Sequence, residues 1–312
     1  MAAGCTEDIE SIPQREGYIL FEAGVETRAP IITSMRSRSF GVLGYSYSGT
    51  WAGNVIMAKP DVFQSQRVDV SDNGVSSYSP LKSWVGGKAY TFFAYHPYNG
   101  VTVSTAAHEG VPFIEYTIPA STDPDRLEDL MVAKSREDLN GNGSRSVAFT
   151  FSHLLFCMDL EARNMNAETV RIRNVRFRIN KLTYSSIHAN MDGTDVRYGG
   201  ESINGREFAI TDGAEELEIA PLDIQHSSAT PVSRQKNLML IPQSRIDGVI
   251  TLEKYDPQSG SWITASRDMV SDREFLPGRK YTAVMNFSGD AMTVAIIESG
   301  EWTDKVEQIE FE

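Results

Sequence analysis

Val147–Ala162 reads VAFTFSHLLFCMDLEA, and its alternation decides the fold. Apolar residues fall first on odd positions, at Val147, Phe149 and Phe151. They then fall on even positions, at Leu154, Phe156, Met158 and Leu160. A period of two marks a half-buried strand. A change of parity turns the apolar set onto the opposite face. The stretch therefore reads as a strand closing one sheet, a crossing at Ser152–His153, and a strand opening a second sheet. The alternative is one long strand carrying a bulge.

The segments on either side have the same character. Gly17–Gly24 (GYILFEAG) is a short apolar run between glycines, hence a strand. Phe40–Tyr47, Tyr90–Tyr95 and Phe113–Ile118 read as strands, and Thr122–Leu130 offers one helical turn capped by Asp123. Beyond the crossing, Val170–Ile179 alternates with Arg171, Arg173, Arg176 and Arg178 on the outward positions. Tyr281–Phe287 and Met292–Ile296 form a hairpin about Ser288-Gly289-Asp290. No stretch keeps a 3.6-residue period over three turns. The chain reads as all-β, with sandwiches or barrels as the available architectures.

Bulk composition narrows the function. The chain has 312 residues, enough for two ordinary domains. A formal charge of −13 argues against a nucleic-acid partner, since neutralising phosphates needs a basic surface. No apolar run is long enough to span a bilayer. Two distant cysteines, Cys5 and Cys157, give no disulfide framework. Cys157 lies on the less apolar parity of its strand and reads as a buried thiol. Met1–Cys5 (MAAGC) places small residues before a Cys and is followed by the acidic Thr6-Glu7-Asp8. Ala2–Cys5 resembles a bacterial lipobox, which makes Cys5 the expected lipidation site and the sequence the expected product of a longer precursor. An ordinary exposed Cys is the alternative. Glu7–Glu16 is polar and reads as a tether.

Catalytic and metal patterns do not assemble. The histidines at 96, 108, 153, 188 and 226 never take a metal spacing, and no cofactor is expected. Asp138-x-Asn140-x-Asn142 opens like a calcium loop, but its twelfth position is Phe149. Ser79–Lys82 matches SxxK and Ser71-Asp72-Asn73 matches SDN, but their order is wrong for a penicillin-recognising enzyme, KTG is missing and Pro80 spoils a helix around the serine. The arginines at 171–178 read as a solvated sheet face beside carboxylates. The tryptophans at 51, 84, 262 and 302 could stack on sugar rings, although packing is the favoured role. The chain is not expected to be an enzyme.

An ordered set of pieces resembles the fimbrillin family of Bacteroidales, the type V pilins and their fimbrillin-like relatives. It comprises TRAPI at 27–31, FGVLGYSY at 40–47, TFFAYHPYN at 91–99, DLMVA at 129–133, VAFTFSHLL at 147–155 and LPGRKYTAVMNFSGDAM at 276–292. The acidic residues after Cys5 resemble the surface-export signal of Bacteroidales lipoproteins. The resemblance implies two tandem transthyretin-like β-sandwich domains, here 17–146 and 147–312 after a tether at 1–16. It implies export as a lipoprotein to the cell outer membrane or fimbrium, held by a lipid on Cys5. A maturation protease would cut between Arg28 and Ala29, releasing the strand Tyr18, Ile19, Leu20 and Phe21. Other fimbrial subunits would be the partners, through strand exchange.

The donor candidate in this sequence is the tail 303–312, whose apolar plugs are Val306, Ile309 and Phe311. It is short and acidic, which weakens a stalk role and leaves anchor or tip open. The competing reading is a tip adhesin that does not polymerise, or a surface lipoprotein that binds a host or bacterial glycan or protein.

Overall fold

A computed structural model describes residues 17–25, 34–54, 56–119, 127–142, 146–200, 203–222, 230–232 and 238–299. Among them are twenty-four strands and one four-residue helix, Trp51–Asn54. Where Asn54–Met57 suggests a strand, the helix takes Asn54 and the strand begins at Ile56. Asp123, the expected cap of a helical turn, lies outside the described residues.

The first sheet has eight strands. Its path runs through Phe21–Val25, Val147–His153, Met131–Lys134, Ala89–His96, Ser39–Tyr47, Phe63–Val70 and Ser76–Ser77. Leu139–Asn140 adds to Ala89–His96. The central strands are buried on both faces, which explains their nearly unbroken apolar runs. Phe40, Val42, Phe92 and Phe149 fill one cluster, while Leu43, Tyr45, Phe93 and Tyr95 join a second. The sheet also rolls: Tyr18, just before its first strand, bridges Ser83, just after its last.

The parity change at 147–160 is the passage between these clusters. Val147, Phe149 and Phe151 lie in the first, and Leu154, Phe156, Met158 and Leu160 in the second. Phe156–Asn164 belongs to another sheet, where it pairs in parallel with Lys280–Ser288 and antiparallel with Leu238–Leu240. Backbone groups at the crossing find partners, as burial favours. The Leu154 N–H donates to Leu130 O, the Leu155 carbonyl accepts from Gly278 N–H, and the Cys157 N–H donates to Arg279 O. His153 sits at the crossing with its Nδ1 2.6 Å from Asp129 Oδ2, both side chains buried.

The expected division at 146/147 falls just before the strand that completes the first sheet. Val147–His153 completes the first sheet, and the change of sheet falls at Leu154–Leu155. Alternation reports which face a residue takes, not which sheet it joins, and this separates the two positions. Strand pairing also links the two halves of the chain. Phe113–Thr117 pairs with Ser186–Asn190 in a four-stranded sheet.

The remaining five-stranded sheet is centred on Val170–Leu182, flanked by Ile246–Asp256 and Ile203–Ala209. Its arginines point outward in the irregular spacing 171, 173, 176, 178. A register shift between Arg173 and Arg176, with Asn174 at φ 52°, accounts for it. The C-terminal hairpin is in register from Lys280↔Ser299 to Ser288↔Ala291, turning at Gly289 and Asp290.

Gly41 illustrates how closely the first sheet is packed. A Cβ there would lie 2.2 Å from Cζ of the opposed, buried Tyr95. Gly41→Ala is expected to lower stability by about 1–3 kcal/mol through overpacking, measured as a fall in the urea midpoint at unchanged slope.

Candidate functional site

The first strand and its bed form the feature with the most functional content. Ordered pairing begins later than the sequence suggests. The strand is Phe21–Val25, and Tyr18 makes only an isolated bridge. Residues 17–25 nevertheless act as one unit, because two walls hold them. On one side Phe21–Val25 pairs in parallel with Val147–Phe151. The Val147 N–H donates to Leu20 O at 2.7 Å. On the other side the Ile19 N–H donates to Lys82 O at 2.8 Å, and the Trp84 N–H donates to Gly17 O at 2.9 Å. The Tyr78 hydroxyl adds a bond to Ile19 O at 2.7 Å. The segment thus closes the seam of the rolled sheet.

Alternation chooses which side chains go inward. Ile19 is fully buried and Phe21 is 5% exposed, whereas Tyr18 is 38% exposed and Glu22 faces solvent. Leu20 is half-buried. Phe21 stacks on Phe149 at 5.7 Å between centroids. It meets Phe63 and Phe92 edge-on at 5.6 and 5.9 Å, and Tyr78 at 5.5 Å. The Glu22 carboxylate accepts a short hydrogen bond from Ser146 Oγ. Burying Ile19 and Phe21 contributes roughly 3–6 kcal/mol, from about 1.5–3 kcal/mol per large apolar side chain. Without this segment, the Val147–Phe151 edge and the Lys82–Trp84 wall would lose their backbone partners over an apolar trench.

The other sequence candidates are dispersed. Cys5, Arg28, Ala29, Val306, Ile309 and Phe311 lie outside the described residues, as do His226 and Trp302. Trp51 is buried against Tyr45 and Phe93, and Trp84 meets Tyr90 edge-on at 4.9 Å. Trp262 packs on Tyr255, where the Arg171 guanidinium lies 4.4 Å from the Tyr255 ring and that of Arg173 4.3 Å from Trp262. Arg171, Arg173 and Arg176 pair with Glu216, Glu253 and Glu207, as a solvated, carboxylate-lined face would.

Asp138, in the half-pattern of a calcium loop, is committed elsewhere. Its Oδ1 accepts from the Tyr47 hydroxyl at 2.6 Å and the Trp51 N–H at 2.7 Å. Among the described residues no group of His, Cys, Asp and Glu could hold a metal ion. Cys157 is fully buried, and burial pushes its thiol pKa up, leaving it protonated at neutral pH. Burial also holds His96 below the usual imidazole range. Among the described residues no helix is long and apolar enough to cross a membrane.

The second wall of the seam was not anticipated. Lys82–Trp84 holds the first strand through backbone atoms, which leave no local signal in the sequence.

A family model described as fimbrillin-like matches residues 27–302. A fimbrial protein from Bacteroides vulgatus ATCC 8482 has a similar fold, with a TM-score of 0.69 at 17% identity. That match covers 92% of this chain and 100% of the other. A proposed cell adhesion protein from Bacteroides ovatus ATCC 8483 gives a TM-score of 0.54 at 14% identity, covering 93% and 99%. No curated protein matches.

Truncating the strand's deepest side chain tests how tightly it is held. Phe21→Ala is expected to cost about 3–5 kcal/mol, and Glu22→Ala about 0.5 kcal/mol or less, by equilibrium denaturation. Equal effects would mean that the strand is not anchored through its inward face.

Proposed function

Since the chain belongs to the fimbrillin-like family, we propose that it is a structural subunit of a cell-surface fimbria, assembled by strand exchange once its first strand is removed. The observation that carries this reading is the double-walled seat of residues 17–25, with Ile19 and Phe21 as deeply buried plugs. Such a segment has the attributes of a removable part. It sits at the chain's N-terminal side, and Arg28 follows its last residue by three positions. Once cut there, it is held by non-covalent contacts alone.

The chemistry of replacement follows from what the seat lacks when empty. An extended segment from another chain supplies the backbone groups that Val147–Phe151 and Lys82–Trp84 need, and its alternate side chains fill the trench. A donor joined to one subunit and seated in the next makes a head-to-tail contact that does not close, so a filament grows. In this reading Cys5 carries the lipid that delivers the chain to the outer membrane, and an arginine-specific protease cuts between Arg28 and Ala29. Two sandwich domains give the subunit its length, and other fimbrial subunits are its neighbours.

The full chain treated with an arginine-specific protease should yield a body that begins at Ala29 and loses the first strand. That body should then bind a labelled synthetic peptide of residues 17–25, which the uncut chain should refuse. Arg28→Ala should leave the strand in place under the same treatment. A cut body that cannot take up the peptide under native conditions would end the proposal.

A further inference from the structure

The five-stranded sheet centred on Val170–Leu182 ends on Ser261–Ser271, a strand of eleven residues. It pairs with Ile246–Asp256 without a register break, from Asp256↔Ser261 to Ile246↔Ser271. Among the described residues no strand pairs with its other edge. Most of its side chains reach solvent, and Ile263 and Val270 are each 52% exposed.

Proteins ordinarily blunt such edges, because unpaired N–H and C=O groups invite another strand. Two edges elsewhere in the molecule show the usual devices. Ser76–Ser77 is two residues long, and Thr230–Pro231 is as short and carries a proline. Ser261–Ser271 has no proline, no lysine, no bulge and no positive φ. Its one charge on the parity of buried Met269 is Arg267, whose Nε already donates to Met292 O at 2.6 Å.

We infer that this edge docks the same edge of a second copy of the chain. The two strands run antiparallel about a two-fold axis at Ser266, and the two sheets become one.

The register follows from symmetry and side-chain chemistry. A two-fold axis normal to a sheet preserves its faces, so opposed residues must share parity and the axis must pass through a residue. An axis at Ser266 keeps the full strand paired. On the face of Trp262 it sets Trp262 opposite Val270 and Thr264 opposite Asp268, each twice. An aromatic ring against a β-branched side chain is a favourable cross-strand pair, and so is a hydroxyl against a carboxylate. On the other face Ile263 meets Met269, and Arg267 meets Ala265. An axis at Arg267 would oppose two guanidinium groups, and one at Asp268 two carboxylates, which like-charge repulsion disfavours. An axis at Ala265 would set Trp262 against Asp268 and strand Val270 opposite Gly260 in the turn.

Charge favours this meeting place for two copies. The chain carries a formal −13, so two copies repel in general. This strand holds one Arg and one Asp, and the copies meet along a neutral strip. Main-chain bonds along the edge supply affinity, and the alternate side chains fix the register. The contact does not involve residues 17–25, so it needs no cleavage and stands apart from strand exchange.

The test uses the full, uncut chain carrying Cys5→Ser, which removes the distant thiol. Analytical ultracentrifugation should show a monomer–dimer equilibrium that shifts with concentration. Val270→Lys should weaken the dimer roughly tenfold, since it removes both Trp262–Val270 pairs. Ser266→Lys should weaken it at least as much, by opposing two ammonium groups at the axis. Both positions are exposed, and unchanged urea midpoints should show that the variants fold. Ser266→Cys should give a disulfide-linked dimer under mild oxidation, whereas Gln258→Cys, in the exposed turn beside the strand, should not. A chain that stays monomeric at every concentration would overturn the inference. So would a dimer that both lysine variants leave intact, or equal cross-linking through the two cysteine variants.

Discussion

Backbone N–H and C=O groups along a sheet edge need partners. In the first sheet, two exposed lines of such groups meet at a seam and receive their partners from residues 17–25. The segment also supplies two side chains that complete an aromatic cluster shared by five strands. Polar and apolar satisfaction are thus concentrated in one short piece of chain. The rest of the first sheet can roll because that piece closes it. The same concentration makes the piece a natural point of exchange, since whatever replaces it must meet both demands together.

The crossing after His153 sets the second constraint. A single strand alternation carries the chain from one core cluster to the other, and every backbone polar group named there finds a partner. The buried His153–Asp129 pair sits where the chain changes sheets. Pairing of Phe113–Thr117 with Ser186–Asn190 ties residues before the crossing to residues after it. The two halves of the sequence are not independent lengths of string joined at one point.

Much of this was legible in the sequence because strands write their faces with period two. The parity change at 147–160 marks the passage between clusters, whereas the irregularity at Asn174 shows only in the strand register. The aromatic content of Tyr90–Tyr95 marks a strand. Other features carried no local signal. The Lys82–Trp84 wall works through backbone atoms that any residue could supply. His153 and Asp129 are 24 positions apart, and nothing local in the sequence pairs them. The residues at which the chain changes sheets depend on partner choice between strands, which is settled by long-range packing.

The parallel alignment of Phe21–Val25 with Val147–Phe151 has a mechanical meaning. A pull along the strand loads all of its cross-bonds at once, in shear, so none can fail before its neighbours share the strain. A pull across it would break them one after another, as a zip opens. Whatever segment lies in that alignment is held in the stronger of the two modes against a tug along its own length, which is the direction in which a thread on a surface swept by flow is stretched.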